Sequence, residues 1–340
     1  MRVLRGLEAL PDPERRRGRV ATVGVFDGVH LGHFVVLRRV VERAAERGME
    51  PAVVTFAGHP KELLVGRAPA TVTSLEHRLL LFERIGLGAA LVLEFTPALR
   101  ELTSEQFVRR VLLDGMGMRE LLLGWDSKFG RDRQGTVQSL QPLAQAQGFA
   151  LEEIGPLMLQ GHPVSSTAVR EAVSLGEFGR AAAMLGRPVS LLGTVVHGDS
   201  RGRELGFPTA NLDLHHELRP PDGVYAALAL RRADSERRLL PAVVNIGTRP
   251  TFGQTAVVVE VHLLDFQGNL YGQDLEVFFL GRIRDERRFP GVEALVAQIQ
   301  ADVESARGHA AEAPRRWRIP GTYLPIEGPG PDALLAREVS

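Results

Sequence analysis

Near Leu185-Gly186-Arg187-Pro188 the apolar residues of this chain change their period, and no other feature constrains the fold as much. Before that point, short apolar runs alternate with stretches of helical spacing. Residues 19–26 carry Val20, Val23 and Val25 and read as a strand, and a loop follows from Asp27 to Gly32. Val36, Leu37, Val40, Val41, Ala44 and Ala45 then recur as on one helix face, with Gly48 placed to stop it. Further strand-like runs cover residues 52–56, 89–95 and 120–123. Thr73-Ser74-Leu75-Glu76 and Thr103-Ser104-Glu105-Gln106 resemble capping boxes, the first opening a helix through Ile85. Strands alternating with helices in this way predict βαβ units and a parallel sheet, with ligands beyond the carboxyl ends of the strands.

After the change, residues 191–196, 224–230, 241–246, 256–264 and 275–280 follow one another with Gly, Pro and Asp between them and no intervening helix pattern. That pattern predicts an antiparallel barrel. One helix closes it, with Val292, Leu295, Val296, Ile299 and Val303 on its apolar face and Gly308 near its end. The expected division is residues 1–185, residues 186–318, and a Gly/Pro-rich tail over 319–340 that is expected to be poorly ordered.

A length of 340 residues supports two such domains, each with its own core. Lys plus Arg is 41 and Asp plus Glu is 41, so no global field holds the chain on nucleic acid or on an anionic membrane. Phosphate recognition must therefore be local. With no cysteine there are no disulfides, thiolate nucleophiles or Cys-type zinc sites, which fits a cytoplasmic protein. The first twenty residues are broken by Pro11, Pro13 and Arg15-Arg16-Arg17 and hold no signal-peptide core. No uncharged apolar stretch approaches the roughly 18 residues of a membrane span.

Two segments carry chemistry in the first half. Gly24-Val25-Phe26-Asp27-Gly28-Val29-His30-Leu31-Gly32-His33 joins the first strand to the first helix. Small residues there let backbone N–H groups approach a phosphate, and a helix N-terminus favours negative charge. His30 and His33 bracket Gly32, so both can face one anion and stabilise charge growing on an α-phosphate. A metal site is the weaker functional reading, because no third ligand is suggested nearby. Val164-Ser165-Ser166-Thr167-Ala168-Val169-Arg170 is the companion. Ser165 or Ser166 would cap a helix beginning near Thr167. By itself this is an ordinary N-cap. With the His loop and with Arg170 one turn in, it makes a triphosphate clamp.

In the second half, Gly198, Gly202 and Gly206 recur every four residues and would form a mobile loop able to wrap phosphates. No Gly-Lys-Ser/Thr ending follows, so this is not a P-loop. Thr209 and Asn211 alternate on an extended segment, point to one face, and offer hard oxygens to Mg²⁺ or to phosphate. Glu260 stands inside Val257-Val258-Val259-Glu260-Val261-His262-Leu263-Leu264-Asp265-Phe266. It is either a functional carboxylate in an apolar strand or a solvent-facing residue on an alternating one, and the pattern leaves both open.

These strings together resemble the bacterial bifunctional riboflavin kinase/FAD synthetases, whose first module belongs to the His-x-Gly-His nucleotidyltransferases. Thr55-Phe56-Ala57-Gly58-His59-Pro60 and Gly124-Trp125-Asp126-Ser127-Lys128-Phe129-Gly130-Arg131 are similar to two further segments of that module. In the second half, Gly-Arg-x-Leu-Gly-Phe-Pro-Thr-Ala-Asn-Leu, Val244-Asn245-Ile246-Gly247-Thr248-Arg249-Pro250-Thr251-Phe252, Glu260 to Phe266, and Arg282 to Phe289 resemble the kinase module. The resemblance covers about Gly18 to Asp302 in the expected module order. It departs at Phe34, Gly58, Ser127, Lys128, Thr136 and Val189, although Lys128 keeps a positive charge.

The resemblance implies a Rossmann-like α/β nucleotidyltransferase domain followed by an antiparallel β-barrel kinase domain with a C-terminal helix. It implies riboflavin, FMN and FAD as substrates and products, ATP as co-substrate and Mg²⁺ as cofactor, with no nucleic-acid or membrane partner. In the first domain it assigns ATP to Gly24, Phe26, Asp27, Gly28, His30, His33, Asp126, Ser165, Ser166, Thr167 and Arg170, and flavin to His59, Pro60, Lys128 and Phe129. In the second it assigns MgATP to Gly198, Gly202, Gly206, Thr209 and Asn211, with Thr209 and Asn211 at the metal. Flavin goes to Arg284 and Glu286, and Glu260 becomes the base. His30, His33 and Glu260 are the expected catalytic residues.

Overall fold

A computed structural model describes residues 1–58, 69–198, 201–214, 218–251 and 254–313. His59, Pro60 and the tail from 319 lie outside the described residues. The chain forms two compact units, residues 1–71 with 75–166, and residues 72–74 with 167–340.

In the first unit six parallel strands form one sheet. They are β1 (Arg2–Arg5), β2 (Arg19–Val23), β3 (Glu50–Phe56), β4 (Ala89–Leu93), β5 (Met118–Gly124) and β6 (Ala150–Ile154), in the order β1-β4-β3-β2-β5-β6. The four strands expected from the sequence are all present. β1 and β6 were not expected. One is Arg-Val-Leu-Arg and the other Ala-Leu-Glu-Glu-Ile, edge strands whose charges hide the apolar signal. β2 and β4, both interior strands of the sheet, are buried along their whole length, as strands covered on both faces must be. Strand order reverses between β2 and β5. In open parallel sheets the crevice at such a point is where ligands sit.

Helix α1 (Leu31–Arg47) follows β2 and ends at Gly48, which adopts φ 63° as its left-handed cap. Helix α2 (Leu75–Ile85) follows β3. The Thr103 capping box forms in both directions, Gln106 N–H to Thr103 Oγ1 at 3.1 Å and Thr103 N–H to Gln106 Oε1 at 3.0 Å. Val54, Leu91, Leu93, Leu121 and Leu123 pack against Phe107, Val111 and Leu112 to make the core of this unit.

At the amino ends of the strands, away from that crevice, Arg19 is fully buried. Its guanidinium pairs with the equally buried Asp12, reaches Glu50 at 2.8 Å, and donates to the Met116 carbonyl at 2.7 Å. Arg2 closes the network on Glu50 at 2.8 Å and Asp12 at 3.3 Å. A short hairpin, β7 (Met158–Leu159) with β8 (His162–Pro163), precedes α3 (Ser166–Ser174).

In the second unit, α4 (Phe178–Leu185) leads into a closed barrel of β9 (Ser190–Val196), β10 (Ala210–Asp213), β11 (Gly223–Arg231), β12 (Leu239–Thr251), β13 (Gln254–Leu263) and β14 (Asp274–Arg284), ordered β10-β13-β12-β11-β14-β9. All its pairings are antiparallel. Val195, Tyr225, Ala227, Val244, Ile246, Val259, Val261 and Val277 fill its interior. Phe178 of α4 stacks on Phe279 with ring centroids 5.6 Å apart, so this helix packs on the barrel.

Helix α5 (Val292–Glu312) lies across β11, β12 and β14. Its buried stripe differs from the expected one. Val292 is 61% exposed, whereas Asp302 and Ala306 are buried, and Val303 packs with Ala226 and Leu264. Apolar spacing marks a helix face but does not say which turns find a partner surface. Asp302 earns its place by accepting from Arg284 Nε at 3.0 Å, Arg284 Nη2 at 2.8 Å and Gln298 Nε2 at 2.8 Å.

Candidate active sites

The first candidate is the β2–α1 loop at the switch point. Phe26 and Val29 adopt φ 53° and φ 39°, and Gly28 between them φ 80°. Positive φ at a β-branched residue is uncommon, and strain of this kind costs on the order of 1–3 kcal/mol per residue. Arg78 of α2 supports the loop. It is 3% exposed, and it donates to the Val25 carbonyl at 2.5 Å, to Thr55 Oγ1 at 3.2 Å and to the Phe56 carbonyl at 3.0 Å. Burial pulls its guanidinium below the usual arginine range, with Asp27 and Glu76 opposing. The sequence reading missed Arg78. Its signal was present, because Arg78 shares a helix face with Leu81, Phe82 and Ile85, all buried.

His30 caps α1. Its Nδ1 accepts from the His33 N–H at 3.3 Å. The two imidazoles stack, centroids 3.6 Å apart and planes 19° apart, and Phe26 meets His33 edge-on at 5.2 Å. Gly32 permits the stack, since a Cβ there would stand 3.2 Å from the His30 ring. Gly24 does the same for Phe26, whose ring lies 3.0 Å from where a Cβ would be. Two rings thus share one helix N-terminus, the backbone arrangement that takes anions.

Helix α3 begins at Ser166, and Ser166 Oγ donates to the Asp27 carbonyl at 2.9 Å, tying the helix start to the His loop. Asp27, Gly28, His30, His33 and Ser166 are therefore brought together. Ser165 precedes the helix, Thr167 follows in its first turn, and Arg170 lies one turn along it.

After β5, the Ser127 N–H bonds the Gly124 carbonyl at 2.9 Å and closes a turn. A Cβ on Gly124 would lie 3.7 Å from Val36 of α1, so the turn adjoins the helix that His30 caps. Asp126 and Lys128 are exposed there, and Phe129 is buried against Phe107, centroids 5.4 Å apart.

The second candidate lies on the outer face of the barrel. Val259, Val261 and Leu263 point inward, and Glu260 alternates with them onto the opposite face, half-buried. The carboxylate is therefore on the outer face, in a row of polar side chains. Asn211 of β10 and Asn245 of β12 are its direct cross-strand partners. The glycine segment lies against this row. A Cβ on Gly198 would stand 2.2 Å from the Asn211 amide nitrogen, and one on Gly202 would stand 3.1 Å from Thr209 Oγ1. Gly206 adopts φ 86°. Gly198 and Gly202 need glycine because the backbone itself makes the contact, and Gly206 because of its left-handed φ.

His262 Nδ1 is 2.7 Å from the Pro208 carbonyl, which anchors the segment leading to Thr209. A Cβ on Gly247 would collide with the Glu286 carboxylate at 2.1 Å, so Glu286 covers that glycine. Arg284 is held by Asp302 and faces the Phe289 ring at 5.6 Å. Asn245, His262 and Asp302 did not stand out in the sequence. Only strand register and helix packing bring them to this face.

Comparison with known proteins agrees with both halves. Residues 12–168 match the FAD synthetase family model, and residues 185–310 match the riboflavin kinase model. A Pseudomonas fluorescens protein is 42% identical over 93% of this chain and 100% of its own length. An Escherichia coli K12 protein is 36% identical over 90% and 97%, and a Bacillus subtilis protein 34% identical over 86% and 93%. Each is named bifunctional riboflavin kinase/FMN adenylyltransferase. A solved Streptococcus pneumoniae chain, named Macrolide-efflux Protein, superposes with TM-score 0.76 at 29% identity, over 90% of this chain and 99% of that one. Among the described residues here, no helix is long and apolar enough to cross a membrane. With both family models matched in order and full-length relatives above 30% identity, the chain belongs to the bifunctional riboflavin kinase/FMN adenylyltransferase family.

Proposed function

We propose that the chain phosphorylates riboflavin to FMN on its barrel, residues 186–318, and adenylylates FMN to FAD in its α/β half, residues 1–185, with cytoplasmic ATP serving both steps. The observation that carries the kinase half is Glu260 standing between Asn211 and Asn245, with the glycine segment against Asn211. Glu260 takes the proton of the primary alcohol. That oxygen bonds the γ-phosphorus, and the bond to ADP breaks. Thr209 and Asn211 present the hard oxygen donors that Mg²⁺ prefers, and the ion would neutralise charge on the transferring phosphoryl group. The glycine segment and the Pro208 anchor keep those donors in place.

For the second step, a phosphate oxygen of FMN attacks the α-phosphorus of ATP and pyrophosphate leaves. The stacked His30 and His33 at the α1 N-terminus support a role at that phosphorus, where imidazole N–H groups meet the growing charge. Ser165, Ser166, Thr167 and Arg170 would hold the rest of the triphosphate, with Gly24, Phe26, Asp27 and Gly28 shaping the loop and Asp126 nearby. His59, Pro60, Lys128 and Phe129 are the flavin-side assignments for this half, and Arg284 and Glu286 for the barrel.

Incubation with riboflavin, ATP and Mg²⁺, followed by chromatography, should give FMN and then FAD. FMN alone would point to Phe34, Gly58, Ser127 and Lys128 as marks of a redirected adenylyltransferase. Tight flavin binding with no turnover of ATP would favour a regulator that has kept the fold.

Two variants separate the halves. His33→Ala should lower FAD formation about 100-fold and leave FMN formation unchanged, measured with each flavin supplied separately. Gly198→Ala should do the reverse. The added methyl displaces the Asn211 amide, and the KM for ATP in riboflavin phosphorylation is expected to rise by roughly tenfold.

A further inference from the structure

Glu260 lies at the middle of a three-strand row, and its two neighbours stand in different surroundings. Directly opposite residues of paired strands place their Cβ atoms about 4.5–5.5 Å apart on one face. Asn211, Glu260 and Asn245 therefore project side by side from β10, β13 and β12. On the β10 side the backbone of Gly198 rests on the Asn211 amide. On the β12 side the row continues to Val224 of β11, which is buried, and then to Arg284, which is bound by Asp302. Asn245 is half-buried on a central strand, and its side chain makes no hydrogen bond among the described residues. A polar amide held rigidly beside a base, with its hydrogen-bonding groups uncommitted, is suited to a ligand.

Resting on the kinase reading above, we propose that Asn245 is a substrate-positioning residue that hydrogen-bonds the hydroxyl next to the reacting primary alcohol of the acceptor polyol chain. The argument is one of direction. The glycine segment occupies the Asn211 side, so the phosphoryl donor lies there. In-line transfer requires the attacking oxygen on the opposite side of the phosphorus, beside Glu260. The carbon chain bearing that oxygen then departs toward β12, one strand spacing of about 4.8 Å away. The next hydroxyl on the chain meets Asn245. An amide suits that hydroxyl, because it both donates and accepts. A carboxylate in its place would set a like charge directly opposite Glu260.

The test compares wild type with Asn245→Val and Asn245→Ser. Valine keeps the volume and suits a strand. Steady-state kinetics are measured with riboflavin, with 4′-deoxyriboflavin, and with ATP varied. The KM for riboflavin should rise about tenfold in Asn245→Val with the KM for ATP unchanged. Wild type should prefer riboflavin over the deoxy compound by about tenfold in kcat/KM, Asn245→Val should show no preference, and Asn245→Ser should restore part of it. FAD formation from supplied FMN should be unaltered in both. Equal discrimination in wild type and Asn245→Val, or an unchanged KM for riboflavin in Asn245→Val, overturns the proposal and leaves the kinase reading standing. Absence of FMN formation by the wild type is a different result, and it removes the kinase reading itself.

Discussion

Replacing Glu260 with glutamine is expected to lower riboflavin phosphorylation by about 10²- to 10⁴-fold, the range a positioned general base contributes, while FAD formation from supplied FMN continues at the wild-type rate. Glutamine has the shape of glutamate but does not accept a proton at neutral pH. The backbone around it is set by Val259 and Val261, which are buried in the barrel and hold β13 against β12 and β10. The substitution is on the outer face and removes no core volume, so the melting temperature should stay near that of the wild type. The measurement is chromatographic quantitation of FMN and FAD from separate incubations with riboflavin and with FMN. Loss of both products in a folded variant would refute two separate sites.

The second large effect concerns stability. Asp12→Ala is expected to destabilise the α/β unit by about 3 kcal/mol, because removing one partner of a buried ion pair leaves the other charge uncompensated. Arg19 would keep Glu50 and the Met116 carbonyl, so the loss falls at the lower end of the usual range. For a unit of this size that corresponds to roughly 6–12 °C in melting temperature.

The same network sets an acid limit. Burial alone would raise the Asp12 carboxyl, but the Glu14 N–H and the Arg19 guanidinium outweigh burial and hold it below the usual range. Glu50 is likewise opposed by burial and lowered by Arg2 and Arg19. Both carboxyls have depressed pKa values in the folded protein. Their stabilisation is therefore fully present above the unfolded-state values near about 4 and is lost as pH falls through the folded ones. Melting scans from pH 7 to pH 3 should show the wild type losing stability below about pH 4, and Asp12→Ala losing less over that interval. A pH slope unchanged by the substitution would show that Asp12 is not a source of the acid sensitivity.

The sequence by itself determined the fold class and the identity of the chemistry. Apolar runs of two different periods are enough to distinguish a parallel sheet with helices from an antiparallel barrel, because each period is a direct consequence of local backbone geometry. The His30–His33 spacing around Gly32, and Thr209 with Asn211 on one extended segment, are local patterns too, and their geometry follows from a single loop or strand.

What required the tertiary structure is what depends on a partner distant in sequence. β1 and β6 exist because β4 and β5 offer them edges, although their own residues are half charged. Arg78 serves the first site only because α2 places it under the Val25 and Phe56 carbonyls. Val292 has the right periodicity but no surface to cover, whereas Asp302, a charge on the same helix, is buried because Arg284 meets it. Asn245 stands beside Glu260 through strand register alone, and register is set by the closure of the whole barrel. Periodicity records what a residue's own backbone does. Which side chains share a site is decided by hydrogen-bonded pairing and by burial between elements far apart in the chain.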